Sequence, residues 1–214
     1  MDKILTVIVP VFNQEIYIGR CLRSLLAQSF DKTQFEIFIV NDFSNDRTSY
    51  ALELFKEDVK IINNSKKLGL PASLNKAIKE IKTKYFIRVD SDDYVNAKFL
   101  DYLYFYLSQN ADVDAVACDY FLVDDQENVI ERKNCIDDPI ACGILFKTDQ
   151  IIDLGYYNED FDFNEEKELR ARFEKKYKID RLKLPLYRYR KHEKNMTNNI
   201  EEMNKFNLKL KNLK

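Results

Sequence analysis

The strongest constraint on the fold is an alternation of strand-like and helix-like segments through the first half of the chain. Near-continuous apolar runs are typical of strands buried on both faces, and they span residues 4–11, 35–40 and 85–89, with a shorter run at 59–62. Apolar residues at helical spacing lie between these runs, over residues 16–27, 48–55 and 71–81. Because the connections are short, this order predicts an α/β fold with a mostly parallel central sheet that is flanked by helices.

The second half of the chain has a less regular pattern. It predicts helices over residues 97–107 and 165–176, strands over 115–123 and 140–146, and extended segments over 178–190. Residues 200–214 predict an amphipathic helical tail, whose apolar stripe consists of Ile200, Met203, Phe206, Leu210 and Leu213. Since no low-complexity linker is visible, we expect residues 1–199 to form one domain that is followed by this tail.

Composition and missing motifs exclude several classes of function. The 34 lysines and arginines nearly balance the 36 aspartates and glutamates, so we expect no nucleic acid partner, which would favour a concentrated basic excess. The 4 glycines lie at positions 19, 69, 143 and 155, so the sequence contains neither a Gly-x-Gly-x-x-Gly motif nor a P-loop. The single histidine, His192, has no Gly-x-Ser-x-Gly elbow to pair with, which argues against a serine-hydrolase triad.

Cysteine usage and hydropathy indicate the cellular compartment in which the protein is expected. The 4 cysteines include no Cys-x-x-Cys pair and are typical of reduced thiols. No apolar run approaches the roughly 20 residues that span a bilayer, and the chain starts with a strand rather than a signal sequence. We therefore expect a cytoplasmic protein.

Three polar clusters follow predicted strands. They are residues 10–15 after the first strand, Asn41 and Asp42 after the second, and residues 90–93 after the fourth. In an open α/β sheet, ligands bind beyond the carboxyl ends of the strands. These clusters should therefore converge on one site.

The third cluster contains Asp90, Asp92 and Asp93. Alternate carboxylates at a strand end project to the same side and can share a Mg²⁺ or Mn²⁺ ion, which prefers oxygen ligands together with substrate phosphates. The pattern thus predicts a metal site for a diphosphate substrate. The alternative is an Asp-rich turn before a capped helix, since Asp-x-Asp also occurs by chance.

These motifs, in this order, resemble the family 2 glycosyltransferases, which have the nucleotide-sugar-binding GT-A fold. The matching segments are Pro10-Val-Phe-Asn13, Asn41-Asp-Phe-Ser44, the stretch from Gly69 to Asn75, and Asp90-Ser-Asp-Asp93. The resemblance implies that residues 1–93 form the nucleotide-sugar-binding half of the domain. Residues 94–199 would then form the acceptor-side half.

The resemblance implies one wall of a nucleotide site. Asp42 would accept a hydrogen bond from a base N–H, which points to uracil, and Phe12 would pack against the base ring. Pro10 and Asn13 would shape the same wall, and Asn75 would belong to the nucleotide-sugar site. Two alternatives stay open, namely a solvated Asp42 in a turn and a Phe12 that belongs to the core.

The resemblance also implies a diphosphate–metal centre. Asp92 would link Mn²⁺ or Mg²⁺ to the donor diphosphate, Asp90 would lie nearer the ribose or a metal-bound water, and Ser91 belongs to the same motif. The segment 186–197 resembles the family's Tyr-Arg-x-His segment, so Arg190 would reach the diphosphate and His192 the metal. A basic surface strand with a structural histidine is the alternative.

A second acidic cluster resembles the family's catalytic base region. Residues 155–161 and 165–172 match a Gly-x-x-x-Glu-x-Phe segment followed by Glu-Asp-x-x-Leu-x-x-Arg. Glu166 then takes the place of the base that removes the acceptor proton, where the family usually has Asp, and Glu165 is the neighbouring candidate. The alternative is a solvated helix face, because Glu166 and Arg170 have the spacing of an i,i+4 ion pair.

Together, these matches predict an inverting, metal-dependent glycosyltransferase of hexosyltransferase type. The donor would be a nucleotide sugar, most simply a UDP-sugar, and the acceptor a hydroxyl of a glycan or a lipid-linked saccharide. The amphipathic tail allows peripheral contact with the inner face of a membrane, or a homodimer. The alternative is a nucleotide-sugar-binding relative without transfer activity, and a phosphoryl or nucleotidyl transferase is a weaker one.

Overall fold

A 9-stranded sheet forms the centre of the computed structural model, which describes residues 3–193 and 195–211. The strands are β1 Leu5–Val11, β2 Phe35–Asn41, β3 Lys60–Asn63, β4 Tyr85–Arg88, β5 Tyr94–Val95, β6 Ala115–Val123, β7 Val129–Lys133, β8 Ile144–Lys147 and β9 Ile179–Arg190. The helices are α1 Ile18–Leu26, α2 Thr48–Glu53, α3 Leu70–Glu80, α4 Phe99–Gln109, α5 Thr148–Asp153, α6 Glu165–Phe173 and α7 Ile200–Lys211. A 3₁₀ turn spans Met196–Asn198.

The sheet has a parallel half and a mixed half. Its strand order is β3-β2-β1-β4-β8-β6-β9-β5, and β7 pairs with β6. Strands β3, β2, β1 and β4 are parallel, as their buried apolar runs predict. Strand β8 is antiparallel to β4 and β6, whereas β9 is parallel to β6 and antiparallel to β5. The α/β class is confirmed, but an apolar run indicates that a strand is buried and not the direction of its neighbour.

Strand β1 is buried on both faces of the sheet. Val7 and Val9 belong to one hydrophobic cluster together with Leu22 of α1. Ile8 points the other way and packs in a second cluster with Leu74 of α3. This alternation follows from the two-residue period of a strand. Helices on both faces therefore hold β1 in place, and its carboxyl end is a fixed point from which residues 10–15 leave the sheet.

Three short elements were not predicted from the sequence. Strand β7 lies in the acidic segment between the predicted strands at 115–123 and 140–146, and its residues are mostly exposed. Strand β5 and helix α5 also carry too little periodicity to be recognised. The strand predicted from residue 140 begins at Ile144, because Gly143 has a φ of 74° and its N–H donates to the Arg88 carbonyl at 3.1 Å.

The C-terminal helix α7 packs against the chain itself. Phe206 is 8% exposed, and its ring centroid lies 6.0 Å from that of Phe161 and 5.7 Å from that of Phe163. The side chain of Ile200 and all of Leu213, both in the predicted stripe, lie outside the described residues. Within the described part of the chain, no helix is both long and apolar enough to cross a membrane. The predicted membrane contact and homodimer stay predictions.

Candidate active site

The carboxyl ends of β1, β2 and β4 lie side by side at one edge of the sheet. The register pairs Val11 with Asn41, and the polar loops that follow these strands leave the sheet together. The Asn13 N–H donates to Ser44 Oγ at 3.0 Å, and the Asp42 N–H donates to the Val11 carbonyl at 2.9 Å. The first two polar clusters thus converge, and the third follows the neighbouring strand β4.

Asp42 is a buried carboxylate that organises the loop before α3. It accepts hydrogen bonds from the N–H groups of Leu68 at 2.8 Å and Gly69 at 2.9 Å, and from Asn64 Nδ2 at 2.9 Å. Gly69 is required, because its φ is +90° and an added Cβ would lie 2.5 Å from Asp162 Oδ1. Asp42 is therefore not a solvated turn residue. Its Oδ2 accepts one of these bonds among the described residues, and a carboxylate oxygen has a second lone pair that can accept another.

Phe12 lies next to this loop at the end of β1. Its half-buried ring is contacted by Lys67 Nζ, 3.8 Å from the ring centroid. Pro10 is buried within β1, and Asn13, with a φ of 52°, exchanges hydrogen bonds with Asn45 at 2.8 and 2.9 Å. A partly accessible ring beside a loop that a buried carboxylate holds in place can form one wall of a binding site for a flat ligand. The base-binding roles of these residues stay predictions.

Asp92 and His192 form a close pair although they lie 100 residues apart in the chain. His192 Nε2 is 2.9 Å from Asp92 Oδ2, and the two side chains are 2% and 17% exposed. The Tyr17 ring packs on the imidazole with 4.7 Å between the ring centroids. Asn195 Oδ1 accepts a hydrogen bond from the backbone N–H of His192. The imidazole is thus held in one place beside the aspartate motif.

Arg190 and Asp93 attach strand β9 to the aspartate motif. The Arg190 N–H donates to Asp93 Oδ1 at 2.7 Å, and Arg190 Nε donates to the Asp92 carbonyl at 2.9 Å. The Tyr187 hydroxyl donates to Asp93 Oδ2 at 2.7 Å. Asp93 therefore anchors a strand and does not cap a helix. Arg190 also faces Glu127, at 3.4 Å, so its predicted contact with a diphosphate stays a prediction.

Arg88 connects the aspartate motif to the second acidic cluster, although no sequence motif predicted a role for it. Its Nε donates to Asp90 Oδ1 at 2.6 Å, and its Nη1 donates to Glu165 Oε1 at 2.7 Å. The side chains of Arg88 and Glu165 are 7% and 5% exposed, and that of Asp90 is 22% exposed. A signal was present, since an arginine in an apolar strand lies two residues before Asp90 and on the same side of the strand.

The two neighbouring glutamates of α6 have different surroundings. Burial raises the pKa of the Glu165 carboxyl to about 7, Arg88 opposes the rise, and the charge of Glu166 adds to it. Glu166 is half-buried, lines a cleft, and makes no hydrogen bond or ion pair within the described residues. Its expected i,i+4 partner, Arg170, pairs with Glu174 instead, at 2.6 Å. Glu166 is therefore the one of the two that lines a small cleft instead of contacting a protein partner.

Asn75 and Ser91 contact protein rather than open space. Asn75 Oδ1 accepts a hydrogen bond from the Tyr157 N–H at 2.9 Å, and its Nδ2 donates to the Tyr157 carbonyl and to Glu159 Oε1, both at 2.9 Å. Asn75 thus fixes the segment before α6 against α3. Ser91 is 5% exposed in the turn between Asp90 and Asp92. A direct contact of either residue with a nucleotide sugar stays a prediction.

The chemistry of the residues around Asp92 fits a divalent cation. Asp90 and Asp92 offer carboxylate oxygens that suit Mn²⁺ or Mg²⁺, and His192 adds an imidazole nitrogen. A second group, Asp90, Asp93 and Cys142, brings its ligand atoms within 4.8 Å of one another. Burial raises the pKa of the Cys142 thiol well above its usual range. Asp92 and His192 lie outside this group, and both Asp90 carboxylate oxygens accept hydrogen bonds from Arg88, so a cation shared by Asp90, Asp92 and His192 stays a prediction.

Comparison with known proteins gives the same family as the motifs. The family model "Glycosyl transferase family 2" matches residues 6–167. The poly(ribitol-phosphate) beta-N-acetylglucosaminyltransferase TarS of Staphylococcus aureus is 38% identical over 100 residues, which are 44% of this chain and 17% of TarS. A poly(ribitol-phosphate) beta-glucosyltransferase of Bacillus spizizenii is 36% identical over 110 residues, 50% of this chain and 17% of that protein. The matched regions are about a sixth of the length of these relatives.

Solved structures show the same fold. S. aureus TarS 1–349 in complex with UDP-GlcNAc has a TM-score of 0.79 at 24% identity, covering 92% of this chain and 61% of that chain. A mannosyltransferase from Pyrobaculum calidifontis, in complex with GDP-Man and Mn²⁺, has a TM-score of 0.72 at 17% identity, covering 89% and 57%. These similarities confirm the GT-A type fold. Because the family model matches most of the sequence, the chain belongs to glycosyl transferase family 2.

Proposed function

We propose that the chain transfers a sugar from a nucleoside-diphosphate sugar to an acceptor hydroxyl, in a metal-dependent reaction with inversion. The observation that carries the proposal is that Asp92, on the loop that follows β4, lies 2.9 Å from His192, which follows β9. Strand β1 lies between β2 and β4, so the loops that carry Phe12, Asp42 and Asp92 leave adjacent strands of the sheet. A nucleoside diphosphate needs a cation for its diphosphate and an aromatic surface for its base, and these residues can supply both.

Donor binding would use the wall formed by Phe12 and Asp42. The half-buried Phe12 ring offers a face to the base, and Asp42 Oδ2 can accept one further hydrogen bond. An imide N–H of uracil supplies such a donor, and a base without that donor would leave a buried carboxylate unsatisfied. These features support a UDP-sugar as the donor.

The leaving group would be handled by the aspartate motif. A divalent ion held by Asp92, Asp90 and His192 would offset the negative charge of the departing nucleoside diphosphate. Arg88 keeps the Asp90 carboxylate oriented through bonds of 2.6 and 3.2 Å. This support is preorganised, because the arginine is buried and also bound to Glu165.

Proton removal from the acceptor would be the role of Glu166. A base must lie within reach of the acceptor hydroxyl, and Glu166 lines a cleft without a protein partner in the described residues. Glu165 accepts a hydrogen bond from Arg88, which also bonds Asp90. In a single displacement, the acceptor oxygen attacks the anomeric carbon from the side opposite the diphosphate, which gives inversion.

The acceptor would be a hydroxyl-rich glycan or polyol-phosphate polymer. TarS and the B. spizizenii relative carry names that describe transfer to poly(ribitol phosphate). We extend this acceptor class to the present chain as part of the proposal, alongside the lipid-linked saccharide that the sequence suggests.

A thermal-shift experiment with UDP, with and without Mn²⁺, tests the donor site. We expect UDP to stabilise the protein more strongly with Mn²⁺, and Asp92→Asn to remove the metal-dependent part of the shift. Hydrolysis of UDP-GlcNAc then tests the chemistry. Glu166→Gln should lower turnover by about 100-fold, the usual contribution of a general base. Glu174→Gln, at an exposed glutamate just past α6, is the matched control.

Two results would contradict the proposal. If UDP with Mn²⁺ fails to stabilise the protein, the proposed donor site is refuted. Binding of UDP-GlcNAc without hydrolysis or transfer by the wild-type chain, and no effect of Glu166→Gln, would instead identify a nucleotide-sugar-binding protein.

A further inference from the structure

Two arginines from distant segments contact the same carboxylate near the aspartate motif. Arg20 of α1 donates to Glu127 through Nε at 2.8 Å and through Nη2 at 3.1 Å. Arg190, at the end of β9, points its Nη2 at Glu127 Oε1, at 3.4 Å. Both guanidinium groups lie over the Tyr94 ring, 4.0 and 5.3 Å from its centroid. Because Tyr94 directly follows Asp93, the two cations lie beside the aspartate motif.

Glu127 lies at the tip of the hairpin that joins β6 to β7. Strand β7 is mostly exposed and, among the described strands, pairs with β6 alone. Besides Arg20 and Arg190, Tyr17 holds this tip, because its hydroxyl donates to Asp125 Oδ1 at 2.8 Å. Glu127 has a φ of 65°, which is uncommon for a residue other than glycine. A peripheral tip that is held by a few side chains can move without disturbing the core.

The charges of this cluster are unequally exposed. The Arg190 side chain is 3% exposed and that of Glu127 35% exposed. A buried guanidinium needs an anionic partner, and Glu127 is its ion-pair partner within the described residues. The other side-chain bonds of Arg190 go to the carbonyls of Asp92 at 2.9 Å and Asp125 at 3.2 Å. These bonds use three of the five guanidinium N–H groups, so two donors remain for an anion.

The contact of Glu127 with Arg190 is weaker than its contact with Arg20. The first is a single bond of 3.4 Å, whereas the second has two donors, at 2.8 and 3.1 Å. Hydrogen bonding to Arg20 is the main cause that lowers the pKa of the Glu127 carboxyl, so this group is an anion at neutral pH. A stronger anion can therefore replace Glu127 at Arg190 at little cost.

We propose that Arg20 and Arg190 together bind the diphosphate of the donor, and that Glu127 is an internal anion that occupies this site until the donor replaces it. The inference rests on the proposed glycosyl transfer. A phosphate presents oxygens to a guanidinium much as a carboxylate does, so one can take the place of the other. With Glu127 displaced, both guanidinium charges offset the negative charge of the leaving nucleoside diphosphate.

Thermal-shift titrations with UDP and with uridine, in the presence of Mn²⁺, test the role of Glu127. Glu127→Gln keeps a hydrogen-bond acceptor and removes the competing charge. We expect its affinity for UDP to rise by about threefold, as for the loss of one partly exposed charge interaction. Its affinity for uridine, which has no phosphate, should not change. Glu131→Gln is the matched control, since Glu131 lies on β7 and pairs with Lys133 at 3.0 Å.

The same titrations test Arg20. Arg20→Gln should lower the affinity for UDP by about tenfold, the usual loss for one charge-assisted hydrogen bond, and leave the affinity for uridine unchanged. A merely structural defect would lower both affinities. Arg23→Gln is the matched control, because Arg23 is an exposed arginine on the same helix.

Each contrary result has a distinct meaning. Weaker or unchanged binding of UDP by Glu127→Gln would overturn its role as a competing anion. Binding of UDP by Arg20→Gln with the wild-type affinity, or an equal loss of affinity for UDP and uridine, would overturn the two-arginine site. A wild-type chain that UDP does not stabilise in the presence of Mn²⁺ would refute the proposed function itself.

Discussion

Replacing Arg88 with methionine removes the cation that the buried Glu165 and the partly exposed Asp90 share. Arg88 makes charge-assisted hydrogen bonds of 2.6 and 3.2 Å to Asp90 and of 2.7 Å to Glu165. The Glu165 side chain is 5% exposed, so the variant leaves it without a counter-charge and without water. Breaking a buried ion pair in this way costs about 3–5 kcal/mol. We expect about 3 kcal/mol at neutral pH, because Glu165 can take up a proton and become neutral.

The pH dependence of the Arg88→Met defect follows from the same carboxyl. Burial raises the Glu165 pKa from 4.5 to about 7 in the folded wild type. The folded state then binds the proton more tightly than the unfolded state, so the contribution of Glu165 is full below pH 4.5 and declines as pH rises to about 7. Without Arg88 the folded-state pKa rises further. The deficit of the variant should therefore grow above neutral pH, by up to about 1.4 kcal/mol per pH unit.

Urea unfolding of the wild type and Arg88→Met at about pH 6 and about pH 8 measures both effects. Glu165→Gln is the control, since its amide oxygen still accepts a hydrogen bond from Arg88 but does not titrate. Combining the two substitutions should cost less than the sum of the single changes, because they remove the same pair. A loss below about 1 kcal/mol, or an equal loss at both pH values, would refute the reasoning.

Three further changes test other parts of the structure. Burial would raise the pKa of Asp119, but hydrogen bonds from Arg181 and Arg132 outweigh it and lower the pKa to about 2. Asp119→Asn should therefore cost about 2–4 kcal/mol in urea unfolding at neutral pH, and the difference should shrink as pH falls through about 2. Gly69→Ala should lower stability by about 1–3 kcal/mol, because its φ is +90° and its Cβ would meet Asp162; an unchanged Tm would contradict this. Deleting residues 200–214 should lower Tm, since Phe206 is 8% exposed, and equal recovery of both chains in liposome flotation would exclude membrane binding by the tail.

The parts of the fold that could be predicted are those whose sequence pattern is set by local burial. Strand β6 has the predicted bounds, Ala115–Val123, because both of its ends coincide with a change from apolar to polar residues. Strands β1 and β4 were also predicted, since helices cover both of their faces. Strand β7 escaped prediction because its burial pattern is exposed over most of its length. Its pairing with β6 depends on a hairpin and not on an apolar face.

The candidate site was predictable in its residue types and not in its contacts. Asp42 and Asp92 follow strands whose ends meet in space, so topology alone brings their loops together. The Arg88–Glu165 contact joins residues that are 77 positions apart, and no local pattern shows it. Asn75 matched a motif, yet its polar atoms hold the backbone of Tyr157. A motif states which side chain is present, whereas its partner depends on the packing of distant segments.

The consecutive glutamates Glu165 and Glu166 illustrate how packing assigns roles that the sequence left open. Neighbouring residues on a helix point about 100° apart, so both cannot face the same environment. Glu165 turns inward to Arg88 and has a pKa of about 7, whereas Glu166 faces the cleft that Tyr157 lines. The Glu165 carboxylate is buried and bound by the Arg88 guanidinium, so it does not reach a space in which an acceptor hydroxyl could meet it. The same pair of residues thus supplies support for Asp90 on one side and a candidate base on the other.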